Sequence, residues 1–434
     1  MDEVLPRVVL TKVAWRLLPF LFVLYVFNIL DRMNVSFARL QMLDDLQMNE
    51  ASYALGAGIF YIGYFVFEVP SNLILSRTGA RLWIGRIMIS WGLTTCAMMA
   101  VRSPWSFYLL RILLGFAEAG FFPGIILYLT YWFPARERAR AVALFMIGWP
   151  LTGALGSPVS GAILQYLDHV HDLRGWQWLF LLEGLPAVAL GVAVLFYLTD
   201  RPAHAHWLTA AERDWLANQV DKEEQYRQQR HGLTLAGVLT DGRVWLLILL
   251  YFTLAAGANA NGFYLPKLLQ TRLVGVREFQ LGLLVAVPNV SAMLGMVVNG
   301  VHSDRTGERR WHVAVPAFLA AAGWTAGAFL EAPGWSLLAF TVAQAGVMST
   351  LPRYWSLPTA FLSGRAAAGG IAWINALGNL GGFVGPYVIA ELHDAKHGFA
   401  GGLLALAVGM VMGGALALWA GCGHSMIQAG GNEA

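Results

Sequence analysis

Long apolar runs alternate with short polar breaks along the whole chain, and the runs exceed what a soluble domain buries. A helix that crosses a bilayer needs about 20 mostly apolar residues. By that measure spans fall near 15–38, 52–75, 82–101, 105–132, 139–166 and 176–198, and again near 244–270, 279–301, 312–331, 335–361, 367–391 and 398–420. The pattern predicts an all-α integral membrane protein, twelve transmembrane helices in two pseudo-symmetric six-helix bundles. The first run passes from Leu17 directly into Asp31, Arg32, Met33 and Asn34 with no small-residue cleavage site. It therefore reads as a retained helix rather than a signal peptide.

One long hydrophilic stretch, Asp200 to Arg243, interrupts the pattern, with TAAERDWLANQVDKEEQYRQQR at its centre. It reads as a short surface helix joining two halves, which sets the expected domains at 1–199, a linker at 200–243, and 244–434. The halves repeat. Ser76-Arg77-Thr78-Gly79-Ala80-Arg81-Leu82-Trp83 aligns without gaps to Asp304-Arg305-Thr306-Gly307-Glu308-Arg309-Arg310-Trp311, 228 residues on. Each copy follows the second span of its half, as in parallel repeats about an axis along the membrane normal. Gly79 and Gly307 suit a left-handed turn. Asp304, with Arg77, Arg305 and Arg309, forms a candidate gate contact, made in one conformation and released in another. Ser76 stands where the second copy has Asp304, so the first copy lacks the acid for such a lock.

Composition sharpens the class. Apolar residues make up 57% and charged residues 13%, against about 45–50% and about 25% in soluble domains. That excludes a disordered or nucleic-acid-binding chain and opposes a soluble enzyme. With the N-terminus inside, 19 of the lysines and arginines fall on one side and 7 on the other. The positive-inside rule then places both termini and the linker in the cytoplasm. Cys96 and Cys422 form no CxxC pair, and the ten histidines all fall in loops or at helix ends. HVH at 169–171 and HAH at 204–206 therefore read as loop residues. No metal site, cofactor or catalytic set is expected.

The informative residues are charges inside spans, where a charged group costs several kcal/mol and marks function by default. Span 1 carries Asp31 and Arg32, span 2 Glu68, span 4 Arg111 and Glu118, and span 10 Arg353. Arg111 and Glu118 share a helix face, about 10.5 Å apart along the axis, with Gly115 between them leaving room for a ligand or a neighbour. Tyr25, Asn28 and Arg32 form one polar stripe on span 1; Tyr61, Tyr64 and Glu68 repeat the spacing on span 2. Such stripes must converge on an aqueous cavity. Glu68 lies toward the cytoplasmic end, where it could instead brace the repeated loop. The second half offers amides and aromatic groups: Asn259, Asn261 and Tyr264; Gln344, Tyr354 and Trp355; Asn375 and Asn379. These suit a hydroxylated ligand, with Asn379 favoured over Asn375 as a lining residue. Trp149, Tyr354 and Trp355 would also accept an aromatic acid. Arg353, alone in its half, either meets a second carboxylate or pairs near the cytoplasmic mouth with an acid such as Glu68.

Gly300 through Arg310 resembles the loop signature of the major facilitator superfamily. LDRMNVSFA, FEVPSNL, RILLGFAEAGFFPG, WFPARERARA and YWSLPTAFLSGRAAAGGIAWINALGNLGGFVGP together resemble its anion:cation symporter branch. That branch holds permeases for tartrate, galactonate, glucarate, phthalate and hydroxyphenylacetate, and is related to sialin. The resemblance implies proton-coupling roles for Asp31 and Glu118 and carboxylate-binding roles for Arg32 and Arg111. It also implies a cavity role for Asn379. The expectation is a monomeric bacterial inner-membrane carrier that takes up a small organic anion by alternating access, with the proton as coupling ion. Rival expectations are an aromatic-acid permease and an exporter of amphipathic compounds.

Overall fold

The computed structural model describes residues 4–231, 235–273, 275–355, 357–358, 362, 364–393 and 398–420, nearly all of them helical. Cys422 lies outside them, and the side chain of Asp304 is likewise outside what is described. The first half contains span 1 (Val4–Asp45), span 2 (Glu50–Thr78), span 3 (Ala80–Ala97), span 4 (Pro104–Glu118 and Phe121–Thr130), span 5 (Ala135–Met146 and Gly148–Tyr166) and span 6 (Gly175–Tyr197). The second contains span 7 (Gly242–Arg272), span 8 (Glu278–Thr306), span 9 (Trp311–Phe329), span 10 (Pro333–Trp355), span 11 (Gly364–Asn379 and Gly381–Glu391) and span 12 (Ala400–Ala420). Among the described residues eleven spans are long and apolar enough to cross a membrane. Span 11, in pieces of 16 and 11 residues, is the exception. The expected continuous spans 4, 5 and 11 are thus each divided. Their sequences are rich in glycine and proline, and irregular backbone at membrane depth survives where protein covers it.

Lipid-facing and protein-facing sides separate as the apolar pattern requires. Trp105, Phe196 and Trp419 point outward, while Trp91, Trp132 and Trp324 are fully buried. Within the halves, span 3 packs on span 6 and span 9 on spans 10 and 12; between them, span 5 packs on span 8 and span 2 on span 11.

The repeated loop has the same construction twice. Spans 2 and 8 end at Gly79 (φ 94°) and Gly307 (φ 68°). An acid then caps the following helix. Asp200 Oδ1 accepts the Arg81 N–H at 2.8 Å in the first copy, and Glu308 Oε2 accepts the Trp311 N–H at 2.9 Å in the second. The first copy, lacking an acid at Ser76, borrows its cap from the start of the linker. Arg77 and Arg305 are exposed and Arg309 half-buried, all in these loops.

The linker folds as helices Ala210–His231 and Leu235–Thr240 and docks on the first half. Lys12 Nζ meets Glu212 Oε2 at 2.9 Å and Arg138 Nη1 meets Glu223 Oε1 at 3.3 Å. Trp207 stacks on Trp132 with ring centroids 5.6 Å apart.

Candidate functional site

The centre of the molecule is organised by the break in span 4. Its first helix ends at Glu118, Ala119 turns away, and Gly120 takes a left-handed conformation (φ 89°) before the second helix starts. Ser71 Oγ donates to the Ala119 carbonyl at 2.7 Å, satisfying an acceptor the break exposes. The break leaves Glu118, fully buried, facing span 1. Its Oε1 accepts from Arg32 Nε at 2.5 Å and from Asn28 Nδ2 at 2.7 Å. Arg32 lies over the rings of Tyr64 (5.1 Å) and Phe60 (5.6 Å), so its plane is fixed by aromatic faces. One guanidinium nitrogen, Nη2, is buried and makes no hydrogen bond among the described residues.

A small cavity opens beside this pair, between the halves. The first half contributes Tyr25, Asn28, Arg32 and Trp149; the second contributes Tyr251, Asn375 and Asn379. A second small pocket adjoins it past Ile29, Arg32 and Trp149, and is closed by Asn259 and Phe263. Arg32 therefore stands where the two meet. The wall from the first half carries the charge and the wall from the second is neutral and amide-bearing.

Hydrogen bonds join the halves around this space. Tyr61 donates its hydroxyl to Asn259 Oδ1. Asn375 Nδ2 donates to Glu68 Oε1, and lies 3.4 Å from the Tyr64 hydroxyl oxygen. On the side away from the linker, Arg39 pairs with Glu50 and sits between the rings of Tyr53 (5.1 Å) and Tyr264 (5.0 Å). There Gln165 Oε1 also accepts the Phe279 N–H at 3.3 Å. Toward the linker side, Phe122 meets Trp355 edge-on at 5.1 Å. The cavity lies between these two closures.

Residues 21–386 match the Major Facilitator Superfamily over most of the chain. The chain belongs to that superfamily. Among its relatives, an Agrobacterium vitis protein named "Putative tartrate transporter" is 49% identical over 91% of this chain and 87% of its own length. An Acinetobacter baumannii protein named "Quinolone resistance transporter" is 39% identical, covering 93% of each. The partially occluded inward-open structure of the xylose transporter XylE from E. coli superposes with a TM-score of 0.74 at 15% identity, over 93% of this chain and 97% of XylE. This likeness concerns the fold. The chain is thus a membrane-embedded transporter of a small molecule, not an enzyme.

Within the superfamily fold, the intramembrane residues divide. Tyr25, Asn28, Arg32, Trp149, Asn375 and Asn379 line the central cavity, and Asn259 the adjoining one. Asn375 is a lining residue as much as Asn379. Arg111 lines neither: its Nε and Nη2 donate to the Gly56 and Ala57 carbonyls of span 2 at 3.3 and 3.1 Å. Gly115 leaves no room for a ligand, because a Cβ there would lie 2.9 Å from the Tyr64 backbone nitrogen. Asp31 points away from the cavity, its carboxylate accepting from Thr95 Oγ1 (2.7 Å) and Asn34 Nδ2 (3.0 Å). Glu68 is buried against span 11 rather than bracing the repeated loop. Arg353 Nη2 donates to the Gly300 carbonyl of its own half, away from both pockets. Trp355 backs Phe122 and Tyr251 without lining the cavity. Asn261 Nδ2 donates to Gln344 Oε1 at 2.5 Å, and Gln344 Nε2 donates to Asn289 Oδ1 at 2.9 Å. The sequence pattern passes over two features. Glu183 is a buried acid in the apolar run LFLLEGLPA, and His302 Nδ1 lies 2.7 Å from His312 Nε2 beside the second loop copy. An acid inside a span was signal enough for the first; the second needs the fold.

Proposed function

We propose that this transporter is a proton-coupled symporter of small organic anions, taking up a hydroxylated mono- or dicarboxylate of the tartrate class by alternating access. The observation that carries the reading is the Arg32–Glu118 pair at the cavity wall. Arg32 offers one buried guanidinium nitrogen to the cavity while Glu118 holds another. A substrate carboxylate and the Glu118 carboxylate compete for one planar fork. Protonation of Glu118 removes the competitor, so each ligand raises the affinity for the other. Asn375 and Asn379 supply donors and acceptors for hydroxyl groups on the opposite wall. Asp31, one residue from Arg32 but turned into the first half, acts as a second proton-accepting group. Arg111, held by span 2 carbonyls, acts on the site through its field. The relatives' names support an anion; the reading places the protein in the bacterial plasma membrane as a monomer with cytoplasmic termini.

A second reading, export of aromatic carboxylates, is favoured by the aromatic lining of Tyr25, Phe122, Trp149 and Tyr251 and by the name of the Acinetobacter relative. Counterflow of labelled L-tartrate in proteoliposomes, competed by a panel of carboxylates, separates the two. Inhibition by hydroxylated diacids and sugar acids supports the first reading. Absence of tartrate counterflow, with counterflow of a labelled aromatic acid in its place, supports the second, and inhibition by neutral analogues as strong as by acids overturns both.

A further inference from the structure

Behind the cavity, spans 1, 3, 5 and 6 enclose a second cluster of acids, whose Asp31 end also lies in the field of Arg111 and Glu118 from span 4. Glu183 of span 6 is buried (3% exposed), and its Oε1 accepts from Ser160 Oγ of span 5 at 2.9 Å. Its Oε2 makes no hydrogen bond among the described residues. From span 1, Asp31 and Asn34 face it, and Asn34 interacts with both carboxyl groups: its Nδ2 donates to Asp31 Oδ1 and its side chain also reaches Glu183. From span 3 come Thr95, bonded to Asp31, and the Cys96 thiol, whose sulfur lies 3.9 Å from the Leu181 carbonyl. No lysine, arginine or histidine faces Glu183 from any of these spans among the described residues.

Arg111 and two hydrogen bonds offset the charge of Asp31 alone, so two bare carboxylates so placed would leave the second buried charge without a counter-charge, at a high cost. The hydrogen-bond inventory shows how one proton resolves this. Asn34 Oδ1 is also a buried acceptor without a donor. A proton on Glu183 Oε2 turns that unanswered acceptor into a donor beside the Asn34 amide, whose Oδ1 is an available acceptor. If the proton sits on Asp31 instead, a turn of the Asn34 amide exchanges the roles. Its Nδ2 then donates to the Glu183 carboxylate, and its Oδ1 accepts from the Asp31 O–H. The two arrangements contain the same atoms and the same charge.

We propose that Asp31 and Glu183 are a proton-sharing pair, holding one proton between them with the Asn34 amide as the pivot. Glu183 is then a proton-binding site of its own, set behind span 1 and outside the substrate cavity, that stores the proton Asp31 exchanges. The transport role of this store rests on the proton-coupled reading above; the pair itself does not, and it is measurable without substrate.

The test is a pH titration of the carboxyl C=O infrared bands of the purified full-length protein in nanodiscs, for wild type, Glu183→Gln, Asp31→Asn and Asn34→Leu. A coupled pair loses its protons in two macroscopic steps that belong to neither residue alone. Glu183→Gln and Asp31→Asn should therefore each collapse two steps into one, and in both variants the remaining acid should titrate more than about one pH unit below the upper wild-type step. Asn34→Leu keeps both acids and should also move both midpoints. It gives an independent readout should either acid variant fold poorly. If each acid variant deletes its own band and leaves the other midpoint in place, the groups are independent and the proposal fails. A failure of proton-driven uptake with the coupled titration intact would instead strike the transport reading alone.

Discussion

Replacing Glu118 by Gln isolates the step on which coupling rests. The amide keeps the size of the side chain and can still accept from Arg32 Nε and Asn28 Nδ2, now at 2.5 and 2.7 Å, but it carries no charge. In the wild type an incoming carboxylate must displace the Glu118 anion from Arg32, or wait for its protonation. A hydrogen bond to a charged group contributes about 1.5–3 kcal/mol, which corresponds to roughly 10- to 100-fold in Kd. Glu118→Gln should therefore bind L-tartrate about 10- to 100-fold more tightly than wild type wherever the wild-type carboxylate competes for Arg32. Wild-type affinity should rise as pH falls, because binding takes up a proton, and the variant's profile should be flat. Equilibrium binding of labelled tartrate to purified protein reads this directly. A variant whose affinity falls and rises with pH as the wild type does would refute the competition for Arg32.

Gly115→Ala places a Cβ 2.9 Å from the Tyr64 backbone nitrogen. It should destabilise the first half by about 1–3 kcal/mol, read as a lowered unfolding temperature in detergent; an unchanged temperature contradicts the close approach of spans 2 and 4. Arg39→Gln removes the guanidinium between Tyr53 and Tyr264 and should open the side away from the linker. A cysteine at Gly262, which lines the second pocket, placed in a background with Cys96→Ser and Cys422→Ser, should then react several-fold faster with an impermeant thiol reagent, and equal rates would count against that closure. On the linker, the Glu212 carboxyl is held below its ordinary value, first by the Thr209 backbone N–H and then by the Lys12 ammonium. The stability it lends to linker docking is present above the ordinary carboxylate range, about 4.3, and is lost as pH falls through the depressed value. The protection of amides at the start of the linker helix, taken relative to their intrinsic exchange rates at each pH, should fall at acid pH in the wild type and lose that dependence in Glu212→Gln. Identical pH profiles would contradict it.

The superfamily fold was legible because lipid leaves so few options: apolar runs of fixed length, parallel repeats and a conspicuous loop copy suffice. Arg32 and Glu118 were legible for a related reason, since an intramembrane charge needs an explanation. What helical spacing could not tell was the neighbour each face would meet. Arg111 and Glu118 share a face of span 4, yet Arg111 ends against span 2 carbonyls and Glu118, at the chain break, turns to span 1. Spacing assumes an unbroken helix, and Gly120 ends that assumption two residues past Glu118. The amides show the same limit. Asn261 and Asn259 are two residues apart, but one is consumed by Gln344 and the other closes a pocket. Arg353 was placed by its charge alone, and the carbonyl of Gly300 answers it. Asp200, three-dimensionally the missing acid of the first loop copy, lies more than 100 residues from Arg81 and no local pattern connects them.

The most direct measurement of the central claim is proton movement driven by substrate. Proteoliposomes loaded with a pH-sensitive dye, at equal pH and zero potential on the two sides, receive an inward gradient of L-tartrate. The account predicts acidification of the lumen in step with tartrate entry, abolished in Glu118→Gln although tartrate exchange continues. Tartrate entry with no change in lumenal pH would contradict it.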